Sequence, residues 1–140
     1  MILRLAAVCE AVRERPDGRL DLIGVFNELS ATGFPARQDR MTAVFIVEWA
    51  ADEAGRQPLR ADMIDEQGRK LLTIQGHTDV DARGPDRSPP QTRLVMPLEN
   101  VVFKSPGRYR FELLAGSDVV DACSFFVGEV ADSAADGPPP

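Results

Sequence analysis

The sequence predicts an all-β fold: a two-sheet antiparallel β-sandwich of about eight strands, in a jelly-roll or Ig/C2-like arrangement. Three observations lead there. Apolar residues fall into short segments rich in β-branched and aromatic side chains, several of them alternating. Clusters of Pro, Gly, Asp and Ser punctuate these segments about every 8–15 residues. No segment makes a convincing helix, and only the connection Ser30–Arg40 leaves room for a short one. The chain has 140 residues, 44% hydrophobic and 27% charged, which is the size and balance of one globular domain. Residues 1–130 are assigned to that domain. Residues 131–140, ADSAADGPPP, have nothing to bury and are assigned to a flexible tail.

The elements follow in chain order. Ile2–Arg15 is a long apolar run whose spacing suits a strand or a helix. Pro16-Asp17-Gly18 decides for a strand, because a tight turn after such a run makes a hairpin, here with Arg19–Leu29. In that partner Leu20, Leu22, Gly24 and Phe26 share one face, and Ile23 and Val25 share the other. A strand apolar on both faces is covered on both, so the Phe34-Pro35 loop is expected over the second. Met41–Ala50 is the clearest strand, with Met41, Ala43, Phe45, Val47 and Trp49 on one side.

Asp52–Gln57 reads as a polar turn. Leu59–Asp65 and Arg69–Thr78 form a second hairpin around Glu66-Gln67-Gly68, whose glycine supplies the positive φ such a turn needs. Asp81–Gln91, DARGPDRSPPQ, is the longest loop and a place for partner contact. In Thr92–Phe103, Pro97 removes a ladder donor, which predicts an edge strand or a bulge. Arg108–Ala115 alternates strictly, Tyr109, Phe111, Leu113 and Ala115 inward. Gly116-Ser117-Asp118 turns the chain into the last strand, Val119–Val130. The expected core centres on Phe26, Phe45, Trp49, Tyr109, Phe111 and Leu113.

Two motifs resemble those of a known family. The first is Cys9 through Pro35, CEAVRERPDGRLDLIGVFNELSATGFP: a strand, a D-G turn, L-x-L-I-G-V-F and a later F-P. The second is Ser105–Leu113, SPGRYRFEL, followed by the Gly116-Ser117-Asp118 hairpin and Phe125-Phe126-Val127. Together they look like an uncharacterised bacterial family of small β-sandwich proteins, a domain of unknown function. The resemblance spans nearly the whole chain. It implies a cytoplasmic bacterial sandwich and carries no catalytic residues to transfer.

Most chemistries lack their residues. With one histidine, His77, and two distant cysteines, no zinc ligand set is recognisable. No G-x-S-x-G, paired Cys–His or phosphate-binding glycine loop is present. Cys9 and Cys123 sit in apolar strands and read as buried free thiols. Calcium would want about 6–8 oxygen ligands. Asp79, Asp81 and Asp86 cluster near the long loop and Asp52 and Glu53 lie in another, but the spacing of Asp79 and Asp81 leaves the rest of that shell unaccounted for, and Arg83 and Arg87 would repel the ion. No metal and no cofactor is therefore expected.

The net charge of −6 argues against nucleic acid and anionic membranes. Arg93, Arg108 and Arg110 could form a small basic stripe, interrupted by Glu112. Trp49 shares the face of Phe45 and reads as core, not as a sugar platform. Arg4, Glu10 and Arg13 break the apolar N-terminus, so it reads neither as a signal peptide nor as a membrane span. A cytoplasmic location is expected, and the preference for arginine over Lys70 and Lys104 hints at a GC-rich bacterial genome.

The functional expectation is a non-enzymatic interaction or structural module, self-associating or a subunit of a larger protein complex. The contact candidates are Arg83, Asp86 and Arg87 in the long loop and Arg108 and Arg110 on a strand face. A small-ligand or calcium-binding sandwich is the alternative, and an enzyme of unrecognised type is third.

Overall fold

A computed structural model describes residues 1–130, and the 131–140 tail assignment lies outside them. Most of the described chain is strand. Its elements are β1 (Ile2–Cys9), β2 (Ala11–Glu14), β3 (Leu20–Ile23), β4 (Glu28–Ala31) and β5 (Ala36–Glu48). After a single 3-10 turn at Ala51–Glu53 come β6 (Gly55–Ile64), β7 (Lys70–Val80), β8 (Gln91–Phe103), β9 (Gly107–Ala115) and β10 (Asp118–Glu129). Among the described residues no helix is long and apolar enough to cross a membrane.

Three strands form one sheet in the order β1-β5-β8, and five form another in the order β4-β10-β9-β6-β7. Aromatic side chains join the two sheets. Phe45 of β5 meets Phe111 of β9 at 5.6 Å between ring centroids, and Phe103 of β8 meets Tyr109 of β9 at 4.8 Å. Both pairs are edge-on, the favourable arrangement for ring quadrupoles. Phe45, Trp49, Tyr109, Phe111 and Leu113 are buried as the alternation predicts. Phe26 is only half-buried, edge-on against Phe125 at 6.1 Å.

The sandwich has ten strands rather than eight, because two of the expected strands are each divided. Ile2–Arg15 is not one strand. β1 pairs with β5 as far as Cys9↔Thr42, and the chain then turns at Glu10 so that β2 pairs with β3. Glu10 N donates to the carbonyls of Ile23 and Gly24. Gly24 adopts φ +67°, and a Cβ there would stand 2.6 Å from Glu10 Cδ, so glycine lets the two segments cross.

The partner segment Arg19–Leu29 is likewise interrupted. β3 and β4 are separate, and β4 runs parallel to the end of β10, the one parallel pair in an otherwise antiparallel fold. The connection Ser30–Arg40 contains no helix. Gly33 and Pro35 interrupt it, and the residue before a proline avoids the α region. From Ala36 the chain is already paired with β8.

The β2–β3 ribbon is a third layer. β2 packs on β5, and at the ribbon tip Arg93 Nη1 donates to Gly18 O. Thr42 and Val44, on the face of β5 opposite Phe45, are buried there. The strand covered on both faces is therefore β5, not the Arg19–Leu29 segment. Ile23 and Val25 are 47% and 60% exposed, and Phe34 packs against the main core instead of over them.

Candidate functional site: the open side between β7 and β8

β7 and β8 are the last strands of their sheets and lie on the same side of the sandwich. Pro97 lies in an edge strand, as its missing donor predicts. At one end the two strands touch, where the hydroxyls of Thr78 and Thr92 stand 3.4 Å apart. Thr92 also accepts from Trp49 Nε1 at 2.9 Å. From there the strands splay. Between Ile74–His77 and Arg93–Met96 lies a cleft of about 250 Å³. Between Lys70–Leu72 and Pro97–Val102 it widens to about 660 Å³.

The register explains why the floor is apolar. Leu59, Ala61 and Met63 of β6 point into the core and pair with Gly76, Ile74 and Leu72 of β7. These three β7 residues therefore also face inward, but no strand lies over them. Ile74 remains 38% exposed. Gly76 has open space where a Cβ would be, with no atom within 4 Å. Tyr109 closes the bottom of the wide end, its hydroxyl donating to Ser105 O at 2.6 Å.

The rim is charged. Arg69 pairs with Asp65 at 2.9 Å. Asp62, fully buried on β6, accepts from Thr73 Oγ1 at 2.6 Å and from Arg60 Nε at 3.1 Å, with Lys70 Nζ at 3.5 Å. Burial opposes its ionisation, but Thr73, Lys70 and Arg60 outweigh it and hold the carboxyl below the usual aspartate range. Arg60 and Lys70 turn to Asp62 on the outer face of the large sheet, Arg69 turns to Asp65, and Arg93 reaches Gly18 O at the ribbon tip, which leaves Lys104 and Glu99 along the groove.

The contact candidates from the sequence are not brought together. Arg83, Asp86 and Arg87 are exposed in the loop after β7, where Arg83 Nη1 donates to Ser88 O at 3.3 Å. Arg108 and Arg110 lie toward the other end of the large sheet. The loop leaves β7 at Val80, opposite Gly55, whereas Arg110 pairs with Ile64, roughly 30 Å away at the strand rise per residue. Arg110 is engaged with Asp121 at 2.7 Å and Glu112 at 3.3 Å, and Arg108 Nη2 donates to Ser124 at 3.2 Å. Arg93 stands on the opposite sheet, so the three arginines form no stripe.

Asp79 lies on β7 opposite Arg56, and Asp81 lies in the loop beyond. Among the described residues no three His, Cys, Asp or Glu side chains gather as a metal site. His77 is exposed, with Nδ1 3.2 Å from Arg56 Nη2. Burial pushes the Cys123 thiol up to about 11 and raises that of Cys9, so neither is a ready nucleophile.

Sequence reading missed Asp62 and the open side. Asp62 looks in sequence like any outward residue of an alternating strand. Gly76, a glycine inside a strand, was the available signal, since such a residue marks close approach or missing packing. The model of a family of unknown function, DUF6941, matches residues 4–128. No curated protein matches the chain.

Proposed function

The chain belongs to DUF6941, a family of unknown function, and from its own geometry we propose that it is a non-enzymatic module acting by contact with another protein, as a complex subunit or with a copy of itself. One observation carries the reading: β7 offers an unpaired edge beside inward-facing apolar residues that nothing in the fold covers. Free backbone donors and acceptors next to uncovered apolar surface are what an added strand completes. Burial raises both thiols, and Arg60, Arg69 and Lys70 are engaged with carboxylates, which favours recognition over chemistry. The same proposal places the protein in a bacterial cytoplasm, where free Cys9 and Cys123 stay reduced.

Site-specific photo-crosslinking tests it. A photoreactive residue at Ile74 should give one discrete adduct in the native host, absent when the probe sits at exposed Val119. Identical patterns from both positions, together with a strict monomer in sedimentation across micromolar concentrations, would overturn the reading.

A further inference from the structure

We propose that the β2–β3 ribbon is a hinged strap, which lifts off the small sheet as a unit while the sandwich stays folded, with Arg93 as its latch. The ribbon's ladder is its own. β2 and β3 form a separate two-stranded sheet, so lifting them breaks no ladder of either larger sheet. Three ion pairs, Arg15–Asp17, Arg15–Asp21 and Arg19–Asp17 at 3.3, 3.9 and 3.9 Å, lie within the ribbon and travel with it. Every residue from Glu10 to Gly24 keeps some exposure. A two-stranded hairpin is marginal alone, and segments with little burial open below the free energy of global unfolding. The seat is light: β2 packs on β5, and Arg93 Nη1 donates to Gly18 O at the tip.

The hinge is bounded by what stays fixed. Phe26 N donates to Val8 O at 3.0 Å, an isolated bridge that ties both ends of the ribbon to the body. The first ribbon pair is Ala11↔Ile23. Cys9 is held by its pairing with Thr42, which leaves Glu10, Gly24 and Val25, all exposed, to turn. Gly24 has φ +67°, a conformation that glycine enters without strain.

The strap seals a buried thiol. Val8 points into the core, so Cys9, the next residue of β1, points to the outward face beside Thr42. Cys9 is fully buried there, and its Sγ donates to Ala11 O of the ribbon base at 3.4 Å. Lifting uncovers Cys9, Thr42 and Val44 together, whereas the inter-sheet core stays closed.

The test uses the purified Cys123→Ser chain, in which Cys9 is the one thiol left, and follows its reaction with dithiodipyridine. Lifting exposes little surface, so the labelling rate should hold level across low urea and climb steeply only near the global midpoint. In the unaltered chain, hydrogen exchange should show the amides of β2 and β3 opening together, ahead of those of β5 and β9. Arg93→Ala removes the latch and should speed labelling about three- to tenfold, the worth of one hydrogen bond. Arg93→Lys keeps a charged donor and should fall between. Gly24→Ala strains the closed crossing and should also speed labelling, which gives a second readout. Labelling that rises with urea as steeply as global unfolding would overturn the proposal. So would ribbon amides that exchange no sooner than those of β5 and β9, or rates unmoved by the Arg93 and Gly24 variants. Labelling that tracks exchange along β1 instead would assign the opening to fraying of that edge strand and overturn the strap.

Discussion

Truncating Phe111 to alanine removes the side chain at the centre of the inter-sheet contact. Phe111 is fully buried, 5.6 Å from the ring of Phe45 and 6.4 Å from that of Phe125. A buried aromatic takes about 150–250 Å² from water, which at about 25 cal/mol per Å² is roughly 4–6 kcal/mol. Alanine keeps part of that, and the neighbouring strands cannot collapse into the gap because both sheets are tied by their ladders. The expected loss is about 3–5 kcal/mol, a large share of the ~5–15 kcal/mol that holds a domain folded. Phe126→Ala is the control. It is one residue from Phe125 but 53% exposed on the other face of β10, and its loss should stay below about 1 kcal/mol. Urea unfolding of the three proteins measures both numbers. If Phe111→Ala costs less than about 1 kcal/mol, or no more than Phe126→Ala, the two sheets do not pack through this contact.

Two further outcomes are expected. Asp62 is ionised below its ordinary range when folded, so its contribution is present above the unfolded value of about 3.9 and is lost as pH falls through the folded one; Asp62→Asn should cost about 1–3 kcal/mol at pH 7 in urea melts, and the gap to the wild type should close toward pH 3. Gly24→Ala meets a positive φ and should cost about 1–2 kcal/mol, whereas Gly128→Ala, with open space and no positive φ, should leave the thermal midpoint within error; equal effects would remove the crossing at Glu10 as the reason for glycine.

What the sequence revealed was local, and what it hid was long-range. The Pro16-Asp17-Gly18 turn, the Glu66-Gln67-Gly68 turn and the alternation of Arg108–Ala115 are fixed by neighbours within a few residues, and all appear in the structure. Which strand has both faces covered is not local. Ile23 and Val25 carry the same signature as Thr42 and Val44, but only the second pair receives the ribbon. Ala36–Arg40 look polar and loop-like in sequence, and their strand exists because β8 is long enough to pair with them. The candidate contact residues were chosen for charge, which strand faces share with functional surfaces. Arg108 and Arg110 proved to be tied to their own sheet through Ser124, Glu112 and Asp121.

The four edges of the two larger sheets differ in how they are protected. A free edge invites pairing, and proteins blunt theirs with short strands, prolines, bulges or a covering element. β4 has four residues. β1 is broken by a register shift between Leu3 and Leu5 and packs against β10. β8 carries Pro97 and the Asn100 distortion. β7 has a bulge at Leu71, and from Leu72 to Val80 it carries neither proline nor register shift. Its inward row, Leu72, Ile74, Gly76 and Thr78, contains no charge that would repel an incoming strand, and it stands beside the cleft between β7 and β8. β4, β1 and β8 are thus blunted by shortness, packing or proline, whereas β7 is blunted only at its Leu71 end, and this contrast supports the proposed contact role.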